Sequence, residues 1–202
     1  MGKTQKRIDR IKEKAKLKDK ISEEDIRILM KDVTTFFREA CIDFGYDRRS
    51  ILRITTKLRD AGRRSPPWKP ASSRVPGRPQ DGKDGNRIKR WLLPADHKFY
   101  ADEITATLVE IKYYLQLLSM ENAPELPPNS IQDDFDWLIE HKVEVGNYLD
   151  PIQLIPISLK TVMENARTIQ SGHIHPLDRG GKHEPKNAFL MLYRSNQIQG
   201  NL

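Results

Sequence analysis

The sequence predicts a mainly helical chain that ends in a small α+β module. Up to about residue 166, most segments carry apolar residues three and four positions apart, which is the period of an amphipathic helix. Beyond residue 167 this period stops, and a short extended run, a glycine-containing reversal and a second apolar run follow. Segments rich in proline and glycine separate these parts.

The composition favours a polyanionic partner. The chain has 202 residues, enough for one domain or two small ones, with 35 Lys and Arg against 28 Asp and Glu and a formal net charge of +7. Nucleic acid fits this excess because Lys and Arg displace condensed counterions from phosphates, although a membrane surface or a ribosomal contact would also attract it. No membrane span or signal peptide is recognisable, and the single cysteine, Cys41, indicates a reducing, cytoplasmic location.

The N-terminal 20 residues form a basic arm with few acidic or apolar positions. The pattern suits either a non-specific DNA tether or a solubilising tail. The region 21–157 that follows is predicted to be a helical DNA-binding and positioning region.

Two helices are predicted to open this region. Ser22 with Asp25 begins the first as a capping box, and Gly45 ends it. The second spans 48–61. The two resemble a helix-turn-helix in outline, but an ordinary helical hairpin is the preferred interpretation because no recognition-helix pattern is present. The predicted buried side of the second helix consists of Ile51, Leu52, Ile54 and Leu58.

A basic loop rich in proline and glycine is predicted over 62–90, where neither a helical nor a strand period is visible. Arg63, Arg64 and Lys69 are candidate DNA-binding residues, and Trp68 or Trp91 could stack on bases. The alternative, an exposed connection without a ligand, is slightly favoured for most of the stretch.

Three further helices are predicted: 102–121, a shorter acidic one over 130–143, and one that starts at Ser158. The first has a predicted buried stripe from Ile104 to Leu118. The acids of the second are interpreted as a solvated face because they lack metal-ligand spacing. The third leads into the C-terminal module, 158–202.

The most informative stretch is 171–202. Three of the five histidines, His173, His175 and His183, lie close together here, and Asn187 and Asn196 follow fourteen and twenty-three residues after the first. Residues 168–175 are predicted to be extended, 176–181 to reverse the chain, and the segment from residue 185 to be a strand or helix.

These offsets resemble those of the HNH nucleases, whose fold is the ββα-metal module. The matching pattern is Gly-His-Ile-x-Pro-Leu-x-x-Gly-Gly from Gly172, followed by the two asparagines. The resemblance implies that His173 is the general base, Asn187 the structural middle residue that orients it, and Asn196 a metal ligand on the closing helix.

The chemistry of phosphodiester hydrolysis requires these residue types. A base must take a proton from water, and histidine titrates near neutral pH. One divalent ion, Mg²⁺ or Mn²⁺, accepts a neutral amide oxygen while keeping several waters. His175 or Asp178 is a further candidate ligand, and Arg179 and Arg194 are candidate phosphate contacts.

The chain departs from the family pattern at two points. Many HNH proteins have an acidic ligand directly before the base, and this chain has Gly172 there. Others have two Cys-x-x-Cys pairs, and one cysteine cannot supply a structural Cys₄ zinc site. Leu202 falls about where the motif helix would end.

The predicted function is metal-dependent cleavage of double-stranded DNA by a restriction-type endonuclease. The family also implies a homodimer with one active site per strand. The alternatives are a phage or mobile-element nicking enzyme, a non-catalytic nucleic-acid-binding protein that keeps the motif as structure, and an RNA-directed protein.

Overall fold

The computed structural model describes residues 9–10, 13, 20–66, 87–124, 136, 142 and 146–200. Nearly all of the basic arm, residues 67–86 with Trp68 and Lys69, and nearly all of the predicted helix 130–143 lie outside them. In chain order the elements are α1 Glu23–Asp43, α2 Arg48–Arg63, a 3₁₀ turn Arg90–Leu92, α3 Glu103–Leu118, α4 Leu159–Glu164, β1 Ile169–His173, a 3₁₀ turn Leu177–Arg179, β2 Ala188–Leu192 and α5 Tyr193–Gly200.

The predicted ends of α1 are confirmed. The Ser22 hydroxyl accepts the backbone N–H of Asp25 at 3.1 Å, which satisfies one of the open donors of the first turn. At the other end Gly45 has φ +102°. The N–H groups of Gly45 and Tyr46 bond the carbonyls of Ile42 and Cys41, the Schellman pattern that such a backbone permits.

Helix α2 differs from its prediction in length and in one buried position. It continues to Arg63, so that Gly62 is helical instead of opening the loop. Leu52 is 60% exposed and does not belong to the core, whereas Thr55 is buried. The reason is the tilt of the buried stripe, which follows positions 51, 54, 55, 58 and 62 at the helical period.

Helix α3 is the central element of the core. It packs against α1 and α2 on one part of its surface and against β2 on another, and every residue from Val109 to Leu118 is buried. The predicted stripe was therefore too narrow, and Ile104 and Leu108 are only half-buried. Two of the buried polar side chains on α3 bond to the C-terminal module. Lys112 donates to the carbonyl of Pro185, and Gln116 accepts the N–H of Leu190.

The ends of the predicted loop 62–90 are ordered parts of the fold. The N–H of Ser65 donates to the carbonyl of Ile88 at 2.8 Å, and Arg64 and Lys89 form an antiparallel bridge. Arg90 is buried. Its guanidinium donates to the carbonyls of Ala61, Gly62 and Phe99 and so links the end of α2 to the segment before α3.

The C-terminal module consists of two antiparallel strands followed by a helix. Ile169 pairs with Leu192 and His173 with Ala188, and α5 begins directly after β2. Asp150 accepts the N–H of Leu192 and the hydroxyl of Ser195, which holds the junction between β2 and α5. The predicted class, mostly helical with a small C-terminal α+β part, is confirmed.

Within the ranges that the structure describes, no helix is long and apolar enough to cross a bilayer.

Candidate active site

His173 is the last residue of β1 and lies at the end of the sheet. Its ring Nε2 is 2.9 Å from Nδ1 of His183, and the two rings meet edge to face with their centroids 5.1 Å apart. The strand pairing with Ala188 positions the backbone, and the contact with His183 orients the ring.

His183 lies in the loop between the strands and is almost completely buried, with 2% of its surface exposed. Its Nε2 is 2.7 Å from the carbonyl oxygen of Gly62, at the end of α2. The two histidines and the carbonyl therefore form a continuous hydrogen-bonded chain from the helical region to β1.

Burial and a nearby cation keep both rings neutral. Burial, with a smaller contribution from the positive charge of Arg90, lowers the pKa of His173 to about 4. The same causes, and repulsion from His173, hold the pKa of His183 well below its ordinary value, although the Gly62 carbonyl opposes this. Burial lowers the pKa of Arg90 to about 10, so the guanidinium stays charged at neutral pH.

Asn187 ties together the two sides of the loop between the strands. Its Oδ1 accepts the N–H of His175 at 2.7 Å, and its Nδ2 donates to the carbonyls of His175 and Lys182 at 2.9 and 2.8 Å. Since Asn187 is only 7% exposed, these bonds are partly shielded from water. The Asn187 side chain therefore fixes the path of the main chain beyond His173.

Gly181 lies where the two sides of the loop come closest. Its N–H donates to the carbonyl of Pro176 at 3.0 Å. A Cβ at this position would collide with the carbonyl oxygen of His175 and lie 2.8 Å from its carbonyl carbon. Only glycine fits this approach.

Helix α5 brings Asn196 over β1. An ideal Cβ at Gly172 would lie 3.2 Å from Oδ1 of Asn196, so the amide oxygen is beside the residue that precedes His173. Gln199, one turn further on, donates through Nε2 to the carbonyls of His173 and Ile174 at 2.5 and 3.1 Å. The helix is thus joined to the end of β1 by side-chain bonds to the main chain.

The structure also explains why position 172 is glycine. A Cβ there would lie 2.6 Å from Sδ of Met191 and closer still to its terminal methyl, and Met191 is completely buried. An acidic side chain would have to displace this methionine. The space that a second metal-binding side chain would need is therefore filled by the core.

Asn196 is the residue at this end of the sheet that could hold a hard cation. Asn196 makes no hydrogen bond through its side chain among the described residues, which leaves its amide oxygen for a ligand. The same residues contain no group of three His, Cys, Asp or Glu side chains able to hold a metal ion. One protein oxygen suits Mg²⁺ or Mn²⁺, which keep several waters and bind substrate phosphates.

The remaining candidate residues are distributed over the surface. The side chain of His175 is exposed, as are Arg179 in the 3₁₀ turn and Arg194 in the first turn of α5. Arg63 instead pairs with the buried carboxylate of Glu110, a contact within the helical region. Arg64 lies 3.6 Å from a carboxylate oxygen of Asp60. Lys69 lies outside the described residues.

Three residues that hold this site were not recognised from the sequence. Arg90, Asp150 and Gln199 each bond main-chain groups far along the chain, and none belongs to a motif. Nothing in the sequence distinguished Arg90 from the other arginines of a basic loop. Asp150 had a detectable signal, because an Asp directly before Pro151 commonly starts a turn.

No protein-family model matches the chain, and no curated protein matches it either. Among solved structures, it is similar to a type II restriction endonuclease known from a crystal structure, with 18% sequence identity and a TM-score of 0.43. The similarity covers 56% of this chain and 53% of the other, so the chain spans about half the length of that enzyme.

Proposed function

We propose that the chain is a metal-dependent DNA endonuclease of the HNH type, with His173 as general base. The observation that carries this proposal is the arrangement at one end of the two-stranded sheet. A neutral, partly buried histidine ends β1, and a helix that follows β2 lays an unbonded amide oxygen over the adjacent glycine. The proposed proton acceptor and the proposed oxygen ligand, 23 residues apart in sequence, are thus at neighbouring positions of β1.

The proposed step assigns one task to each of three residues. Nδ1 of His173 takes a proton from the water that attacks phosphorus, while the bond from phosphorus to the leaving sugar oxygen breaks and that oxygen takes a proton from solvent water. Asn196 would hold the divalent ion, which supplies charge neutralisation at the phosphate when bound. Asn187 keeps the loop after His173 in place, so that the base meets the water at a constant position. The neutral state of His173 at pH 7 supports its role, because an imidazolium cannot accept a proton.

Double-stranded DNA is the proposed substrate. The net charge of +7 and the exposed Arg179 and Arg194 of the C-terminal module support a polyanion. Lys182 and Lys186, also exposed, line a surface pocket of about 520 Å³ together with His175. We propose restriction-type cutting of both strands in the cytoplasm by a homodimer, with a nicking enzyme as the alternative within this class.

Cleavage of a supercoiled plasmid tests the proposal. Wild-type protein with Mg²⁺ or Mn²⁺ is expected to give nicked or linear DNA, and EDTA is expected to prevent this. His173→Ala should abolish cleavage, and Asn196→Ala should reduce it and raise the metal concentration needed. Gln197→Ala is the matched control, because it removes an exposed amide one residue further along α5 and should cut like the wild type.

A non-catalytic DNA-binding protein is the second candidate, and the filled space beside Gly172 favours it. Met191 fills the space that an acidic ligand at position 172, as in many HNH nucleases, would need. Salt-sensitive DNA binding by a wild type that cuts neither DNA nor RNA with either metal would establish this alternative.

If the wild type does cut plasmid, discrete bands with linear DNA would indicate sequence-specific double-strand cutting, and open circles alone would indicate nicking.

A further inference from the structure

His183 has both ring nitrogens engaged and no surface to offer a substrate. It stands between the carbonyl of Gly62 and the ring of His173, at 2.7 and 2.9 Å. A histidine that bound phosphate or metal would need one nitrogen free, so these two functions do not suit it. Its contacts point instead to an action on His173.

The positions of the protons follow from the partners. A peptide carbonyl only accepts, so Nε2 of His183 must carry a hydrogen. Because a buried His183 is neutral, its other nitrogen, Nδ1, has a lone pair and accepts. Nε2 of His173 must then donate to it. A neutral His173 consequently has its proton on Nε2 and its lone pair on Nδ1.

We propose that His183 is a positioning residue that holds His173 in the Nε2–H tautomer and presents Nδ1 as the proton acceptor. This inference rests on the proposed nuclease function for its catalytic meaning, whereas the tautomer itself follows from the geometry alone. The hydrogen bonds from His173 to His183 and from His183 to the Gly62 carbonyl are kept throughout the proton transfer. When Nδ1 takes a proton from water, Nε2–H still donates to His183, and neither ring has to turn.

The hydrogen-bonded row from His173 through His183 ends at the carbonyl of Gly62, in the helical region. Gly62 lies in the last turn of α2, where α2 crosses α3 so closely that a Cβ would be 2.7 Å from Cβ of Glu110. Its carbonyl also accepts Nε–H of Arg90 at 3.1 Å. The carbonyl cannot shift without moving the helix crossing, so His183, and through it the orientation of the base, is linked to a core residue 121 positions earlier in the chain.

The neutral ring of His183, as the acceptor for Nε2–H of His173, also affects the pKa of His173. A carboxylate bonded to Nε2 of His173 would stabilise the imidazolium and raise its pKa. His183 orients the ring without adding a negative charge, and Arg90 opposes protonation of both rings. The ring is therefore oriented without a neighbouring negative charge that would favour the imidazolium.

Two substitutions of His183 separate orientation from packing. His183→Gln keeps an acceptor for His173 and a donor for Gly62, whereas His183→Phe keeps a ring of similar size with no polar atom. Circular dichroism and thermal unfolding identify any loss of fold. Nitrogen-15 NMR of the histidine rings then reports which nitrogen of His173 carries the proton, and a DNA-binding assay in EDTA reports affinity.

Wild type and His183→Gln are expected to show His173 protonated on Nε2, and His183→Phe a mixture of tautomers. The single-turnover rate of plasmid cleavage at saturating protein should fall about 10- to 100-fold in His183→Phe, the range seen when the outer partner of a metal-bound histidine is removed. His183→Gln should recover most of the rate. DNA affinity should be the same in all three proteins.

Protonation of His173 on Nδ1 in the wild type would overturn the proposal, as would a folded His183→Phe that cuts at the wild-type rate. These outcomes differ from failure of the nuclease function. A wild type that does not cut DNA, but shows the Nε2–H tautomer lost in His183→Phe, would refute the nuclease and support the orientation by His183.

Discussion

The three bonds of Asn187 allow a sharp comparison between two substitutions. Asn187→Ala removes one acceptor and two donors, each worth about 0.5–1.5 kcal/mol of net stability. Water replaces some of them, so the free energy of unfolding should fall by about 2–3 kcal/mol. For a chain of this size that lowers Tm by about 4–12 °C.

Asn187→Asp is nearly isosteric but should be no better than alanine. One carboxylate oxygen still accepts the N–H of His175, while the other faces the carbonyls of His175 and Lys182 that Nδ2 now satisfies. Two donors are lost, and a negative charge is placed against two carbonyl oxygens in a largely buried position. We expect a loss of about 3–5 kcal/mol at pH 7, more than for Asn187→Ala.

Denaturant unfolding at pH 7, followed by circular dichroism, measures both differences. Asn165→Ala is the control, because the Asn165 side chain accepts one exposed N–H, from Arg167, and its removal should cost less than about 1 kcal/mol. An Asn187→Asp protein as stable as wild type would refute the assigned donors and acceptors. A loss in Asn187→Ala no larger than the control would show that the loop is held by other contacts.

Three further outcomes are expected. Gly172→Ala should cost about 1–3 kcal/mol through the clash with Met191, and the cost should shrink in a Met191→Ala background, as a double-mutant cycle of unfolding would show. Stability should fall as the pH drops from about 6.5 toward 4. In this range His173 and His183 bind protons in the unfolded chain, whereas both rings stay neutral in the folded chain. Each ring should therefore lower the free energy of unfolding by up to about 1.4 kcal/mol per pH unit. A flat profile in denaturant titrations between pH 7 and 5 would contradict this, and His183→Gln should reduce the slope. Gly181→Ala should expose the loop between the strands to limited proteolysis, while the helical circular dichroism signal of the protein stays unchanged. A loop that is not cut would show that the close approach of Gly181 to His175 is not required.

The sequence predicted those features that depend on neighbours along the chain. The N-cap at Ser22, the stop at Gly45 and the reversal before Gly181 all arise from local hydrogen bonds and backbone preferences. The change of period after residue 167 predicted a strand, a loop and then a strand or helix, and the closing helix was implied by the resemblance to the HNH nucleases. Helix α3 was placed correctly but its burial was underestimated, because periodicity cannot reveal that polar residues such as Lys112 have buried partners.

The sequence by itself determined the helices, the C-terminal module and the residue types of the site, including the spacing of His173, Asn187 and Asn196. Only the tertiary structure decided that His183 contacts His173 and that Gly62 anchors the pair. The physical reason is that a buried polar group must find a partner, and the fold supplies that partner from whichever segment lies nearest in space. A carbonyl 121 residues away leaves no pattern in the local sequence.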